Sequence, residues 1–195
     1  MFRWFALAAF MGCMGISAFY RHRARQEGET IARRRESRGL IAGRAVVALP
    51  LFVAILLYLL NPGWMAWSDL ALPSVMRWVG AVLGLVSVPA AFWVFTSIGR
   101  NVSETVLTKR DHALVTTGPY RWIRHPLYTT GAVLLLAIGL MAANWFILLF
   151  AIFAIVSLRL AVIPLEEREL ENKFGDEYRQ YMSRTGRLLP WVGNR

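Results

Sequence analysis

Five apolar stretches decide what this chain can become. They run from about Phe2 to Tyr20, Leu40 to Leu60, Val75 to Ile98, Leu127 to Ala142 and Trp145 to Ile163. A helix rises about 1.5 Å per residue, so crossing about 30 Å of hydrocarbon takes about 20 residues. The first three stretches meet that length. The fourth is short, and only Ala143 and Asn144 separate it from the fifth, which predicts a transmembrane helical hairpin. The expected fold is therefore all-α: an integral membrane protein with about five transmembrane helices, the last two a short hairpin, followed by a cytoplasmic C-terminal helix. A chain of 195 residues leaves room for little beyond one membrane domain, 1–195.

The formal net charge of +10 invites a nucleic-acid reading. The positions of the cations argue against it, because they lie between apolar segments, where topology accounts for them. Arg21, Arg23, Arg25, Arg33, Arg34, Arg35, Arg38 and Arg44 follow the first stretch. Arg100, Lys109, Arg110, Arg121 and Arg124 follow the third, and Arg168, Lys173, Arg179, Arg184, Arg187 and Arg195 follow the fifth. Asn61 to Pro73 holds no Lys or Arg and contains Asp69. Five spans put all three basic segments on one side, with the N-terminus outside and the C-terminus cytoplasmic, in a cytoplasmic (inner) membrane. Membrane lipid is the expected partner and nucleic acid is not. The first stretch is read as a span rather than a cleaved signal, since its positive cluster follows the apolar run. Trp64 and Trp67 suit an interfacial aromatic belt. Cys13 is the single cysteine, which excludes an intrachain disulfide and a cysteine-cluster metal site; no metal is expected.

Chemistry is expected in two polar segments, Gly99 to Pro126 and Pro164 to Arg195, so that a cytoplasmic cofactor site is built from 99–128 and 159–190. Pro126 suits a first helical turn, where its missing N–H costs nothing. That turn presents free N–H groups beside Arg124 and His125 and can hold an anion. Arg124 serves equally as a topological cation and His125 as a polar cap. Gly118-Pro119 marks a turn. Leu170, Phe174, Tyr178 and Tyr181 recur at spacings of four, four and three, which predicts one face of a helix. Glu167 falls within that face, Glu166 at its edge, and Glu169 points away. A carboxylate on a packed face needs a partner, and a cation or a hydroxyl-rich cofactor would supply one.

These residues resemble a known family. The order His112-Ala113-Leu114-Val115, Tyr120, Arg124-His125-Pro126-Leu127-Tyr128, Glu166-Glu167 and Phe174-Gly175-Asp176-Glu177-Tyr178 is similar to that of the isoprenylcysteine carboxyl methyltransferases. Thr185-Gly186-Arg187-Leu188-Leu189-Pro190 looks like the tail of the prokaryotic members. The resemblance implies S-adenosylmethionine as cofactor, bound in a cytoplasmic pocket, and a lipophilic methyl acceptor reached from the bilayer. It maps the cofactor contacts onto His112, Ala113, Leu114, Val115, Tyr120, His125, Pro126, Leu127, Tyr128 and Glu166, with Arg124 and His125 facing the cofactor's carboxylate. The family's carboxyl methyltransferases carry a substrate-side Arg four residues before the Glu matched by Glu166. Val162 stands there, and Arg159 is the nearest cation. The expected catalytic pair is therefore Arg159 and Glu166. Within the class, a phospholipid or small-thiol methyltransferase is the alternative. Outside it stand an NADPH-dependent membrane reductase and a non-enzymatic scaffold. Sterol reductases carry a similar Arg-His-Pro-x-Tyr, but with Asn at x where this chain has Leu127.

Overall fold

The computed structural model describes residues 1–26, 38–99 and 113–190. Helix α1 spans Phe2–Gln26, α2 Arg38–Leu60, α3 Ser74–Ile98, α4 Pro126–Ala142 and α5 Trp145–Ser157. A π-helical turn, Leu158–Val162, carries α5 directly into α6 (Ile163–Phe174), and α7 (Asp176–Arg184) follows. Four helical stretches are long and apolar enough to cross a membrane: Phe2–Gln26, Ala42–Leu60, Ser74–Ile98 and the apolar part of the continuous Trp145–Phe174. With its 17 residues α4 is the short one, about 25 Å at the usual rise. The expected all-α architecture of apolar helices with a short hairpin is observed. Among the described residues there are no strands, only two isolated bridges, Asp69–Asn144 and Ile123–Gly186.

Pro164 stands in the first turn of α6, where the π turn hands the chain over from α5. Its ring would clash with the carbonyl four residues back and it has no N–H to give. The chain absorbs this by widening one turn: the Ile163 N–H donates to the carbonyl of Leu158, five residues back. One local expectation needs correction: the face predicted through Leu170, Phe174, Tyr178 and Tyr181 is broken at Gly175, whose φ of 54° ends α6 and opens α7. A side chain would be strained in that left-handed conformation. Tyr178 and Tyr181 are buried, whereas Leu170 and Phe174 are only half-buried.

Helix α3 is the centre of the bundle, packed on α4 and α1. Small residues allow the approach. A side chain on Gly80 would place its Cβ 2.8 Å from the Ala137 carbonyl oxygen and 2.8 Å from Leu140 Cβ. Gly84, one turn on, faces the flexible end of Met141. The pair forms the small-xxx-small pattern of close membrane helix contacts. Gly80→Val is expected to cost at least ~1–3 kcal/mol by overpacking, visible as a lower unfolding temperature in detergent. Gly84→Ala should cost less, because the Met141 methyl can move.

At one end of the bundle the hairpin turns through Ala143, held at φ 50°, and Asn144. Buried Asn144 accepts from the Ile147 N–H at 3.0 Å, capping α5. It also donates to the Met65 carbonyl at 3.1 Å and to Ser68 Oγ at 2.7 Å. One amide thus ties the hairpin to the short 3-10 helix Pro62–Ser68. The opposite end holds the C-terminus of α1, where Ala24 packs with Phe95 of α3, Tyr20 and Leu127 of α4. That end carries the candidate site.

Candidate active site

The site grows from the start of α4. A short 3-10 helix, Gly118–Arg121, leads into it and packs on the end of α3. Gly118 sits at φ 59° against Ser97, where a Cβ would collide with the serine side chain. From Trp122 the chain runs beside the C-terminal segment. The Arg124 N–H donates to the Gly186 carbonyl at 2.8 Å, the His125 N–H to Arg187 at 3.0 Å, and the Gly186 N–H to Trp122 at 3.1 Å. Thr129 Oγ1 adds a bond to the Leu188 carbonyl at 2.7 Å. Pro126 occupies the first helical turn as expected.

Arg124 is the organiser of this junction. Its Nε donates to Glu167 Oε1 at 2.9 Å, and both side chains are less than a tenth exposed. Its Nη1 donates to the Met182 carbonyl at 3.0 Å and to the Thr185 carbonyl. Arg187 holds the other oxygen of the carboxylate, Glu167 Oε2, at 2.7 Å. Glu167 lies beyond the apolar stretch that ends at Ile163. Burial opposes its ionisation, but the adjacent His125 imidazole and the hydrogen bond and charge of Arg124 outweigh burial and hold the carboxyl well below the usual range. Arg124 is therefore spent largely inside the protein. Through these contacts it locks α6, α7 and the tail onto the start of α4.

Glu166 sits differently. Its Oε2 accepts from the Tyr128 hydroxyl at 2.9 Å and lies 3.7 Å from His125 Nδ1. The side chain remains 29% exposed. The rings of His125 and Tyr128 stack at 5.6 Å with a 17° interplanar angle. His125 Nε2 is buried 3.5 Å from Glu167 Oε1 but makes no hydrogen bond among the described residues. The Tyr178 hydroxyl is likewise buried without a partner, and burial pushes that phenol up. The Tyr181 hydroxyl donates to the Tyr120 carbonyl at 2.7 Å, fixing the loop over α7, and burial pushes it up to about 12. The Tyr120 phenol is raised by burial first and by the Glu166 charge second.

Of the sequence-derived residues, Tyr120, Arg124, His125, Pro126, Tyr128 and Glu166 converge here. Leu127 packs toward Ala24 and Phe95. Ala113, Leu114 and Val115 form an irregular approach to the Gly118 turn, the first exposed and the others half-buried. His112 lies outside the described residues. Arg159 does not join the cluster: it is exposed, within the π turn, and no described residue pairs with it. Sequence reasoning gave Thr185 and Arg187 no role beyond a tail motif and passed over the Arg124–Glu167–Arg187 clamp. Its only signal was the presence of Glu167 on a packed face.

Comparison with known proteins agrees with this arrangement. Residues 75–177, more than half of the chain, match the family model described as phospholipid methyltransferase. Methanethiol S-methyltransferase 1 of Bradyrhizobium diazoefficiens is 45% identical over 73 residues, 37% of this chain and 24% of that protein. Methanethiol S-methyltransferase of Mycobacterium tuberculosis is 32% identical over 128 residues, 66% of this chain and 46% of that protein. Protein-S-isoprenylcysteine O-methyltransferase of Saccharomyces cerevisiae is 33% identical over 96 residues, 48% of this chain and 40% of that protein. The chain spans less than half the length of these relatives. Among solved structures, the eukaryotic intramembrane Ras methyltransferase ICMT superposes with a TM-score of 0.56 at 18% identity, over 96% of this chain and 68% of that one. The likeness establishes the fold, and with the apolar helices it makes this a multi-pass membrane protein. The matched region runs through α3, the 3-10 turn, the hairpin and α6, the elements that build the His125–Glu166–Glu167 cluster; the chain belongs to the phospholipid methyltransferase family.

Proposed function

We propose that the chain is an S-adenosylmethionine-dependent membrane methyltransferase whose acceptor, a lipophilic molecule in the manner of the isoprenylcysteine carboxyl methyltransferases, reaches the site from the bilayer. The observation that carries this reading is Glu166. It is a part-exposed carboxylate at the edge of a buried polar cluster, paired among the described residues only with a phenol and an imidazole. Its neighbour Glu167, by contrast, is neutralised by two arginines.

The residues fit the cofactor. His125 Nε2 and the Tyr178 hydroxyl are buried polar atoms without hydrogen-bond partners among the described residues, which a polar ligand can satisfy. Glu166 would accept hydrogen bonds from hydroxyl or ammonium groups. Arg187 carries the cation with room for a carboxylate, since its side chain is 41% exposed. Tyr120, Pro126, Leu127, Tyr128 and the segment His112 to Val115 would line the remainder. S-adenosylmethionine supplies, when bound, an electrophilic methyl group on a sulfonium. The chain's own work is then to orient the reactants and keep water out, an effect that can reach roughly 7–11 kcal/mol for well-placed groups.

A small-thiol acceptor is the second reading. The names of two relatives favour it. So does the position assigned to a substrate-side Arg, which holds fully buried Val162, with exposed Arg159 outside the cluster. Purified protein in lipid nanodiscs, given S-adenosylmethionine labelled in its methyl group, is expected to label a prenylcysteine or a small thiol. Labelling of neither, together with NADPH oxidation in the presence of an unsaturated lipid, would replace the proposal with a reductase.

We also infer that the site faces the cytoplasm of the inner membrane, with the N-terminus outside. The support is the charge asymmetry between Arg21, Arg23, Arg25, Arg44, Arg121, Arg124 and Lys173 at one end and Arg3 and Arg77 at the other. A cysteine placed at Gly63, in a chain lacking Cys13, should react with an impermeant reagent added to intact cells. Protection until the membrane is opened would reverse the orientation.

A further inference from the structure

The end of the bundle opposite Glu166 holds a cavity of about 360 Å³, within the usual range for ligand sites. Phe2 and Arg3 of α1, Tyr58 of α2, Asp69 of the connecting loop, Arg77 of α3 and Ala143 of the hairpin are among the residues that line it. Arg3 and Arg77 are the cationic side chains of this end among the described residues, and both face the same cavity. Cations are depleted on the non-cytoplasmic side of membrane proteins, so topology does not account for them.

Both guanidiniums are held in place. Arg77 lies over the Phe2 ring at 4.4 Å and its Nε donates to the Met141 carbonyl at 3.1 Å. Arg3 lies over the Trp4 ring at 4.5 Å and its Nη1 donates to the Leu60 carbonyl at 3.2 Å. Each is fixed by a stacked aromatic face and one backbone bond. Apart from the Tyr58 hydroxyl, which lies within hydrogen-bonding range of Arg77, the terminal nitrogens of Arg77, and Nε and Nη2 of Arg3, take no acceptor among the described residues. Asp69 is the one acidic residue of the lining, and no described ion pair joins it to either arginine. Two oriented, un-neutralised guanidinium edges in one cavity are suited to the oxygens of a phosphate group.

We propose that this cavity is a binding site for a phosphate-bearing anion, separate from the candidate active site and held by Arg3 and Arg77. The proposal is independent of the methyltransferase reading. The source of the phosphate is either the headgroup of an anionic phospholipid or a free phosphate. The full chain, purified into zwitterionic nanodiscs, is exposed to phosphatidylglycerol in one arm and to inorganic phosphate in the other. Binding is read by native mass spectrometry and by thermal shift. Retention of phosphatidylglycerol alone identifies a lipid headgroup, and competition by inorganic phosphate identifies a site that reads phosphate itself. In either case Arg3→Gln should weaken binding about tenfold, the loss of one charge-assisted contact. Arg77→Lys, which keeps the charge but not the fork, should weaken it by a smaller factor while remaining folded. Binding of neither probe, or equal retention by wild type, Arg3→Gln and Arg77→Lys, would overturn the assignment.

Discussion

Glu167→Ala is expected to destabilise the protein by about 3–5 kcal/mol, because it strands a buried guanidinium. Arg124 would lose its 2.9 Å partner in a place where its side chain is only 9% exposed. Arg187 would lose its 2.7 Å partner as well, but with a side chain 41% exposed it can turn to water. The damage should therefore be local. Helix α7 and the tail would come away from α4, since the Met182 and Thr185 carbonyls depend on the same arginine. Hydrogen exchange should show faster exchange at Arg124, His125 and Gly186, whose N–H groups bond across this junction, while α3 stays protected. Arg124→Lys should recover little, since one ammonium cannot reproduce the fork. Unchanged exchange in Glu167→Ala would show that the clamp holds nothing together.

Glu166→Gln should give the opposite pattern. Among the described residues Glu166 has no arginine partner to strand; its contacts there are the Tyr128 hydroxyl and His125. The amide oxygen can still accept from Tyr128, so the fold should persist. S-adenosylmethionine should bind about ten- to a hundredfold more weakly, corresponding to a lost charge-assisted hydrogen bond of roughly 1.5–3 kcal/mol. Glu169→Gln is the control, half-buried and without a described hydrogen bond. Equal effects at both positions, or a lower apo melting temperature with binding intact, would make Glu166 structural.

The contrast between two adjacent carboxylates marks where the sequence stopped being legible. Apolar length alone identifies the spans and the hairpin, because lipid demands about 20 apolar residues per crossing. Helical periodicity places Glu167 on a packed face and Glu166 at its edge, and both placements hold. Periodicity carries no information about partners, however, so it could not say that Arg124 is spent on Glu167 while Glu166 stays part-open. It also assumes an unbroken helix. Pro164 was absorbed by a wider turn and Gly175 broke the later face, and neither outcome follows from a constant 100° per residue. Arg159 was chosen by its closeness in sequence to Val162. The π turn leaves it exposed and away from the cluster.

The most direct measurement is calorimetric titration of the purified protein with S-adenosylmethionine, with NADPH as the competitor reading. The account predicts saturable S-adenosylmethionine binding in the micromolar range, about −7 to −8 kcal/mol, weakened in Glu166→Gln and unchanged in Glu169→Gln. Saturable NADPH binding with no S-adenosylmethionine binding would contradict it.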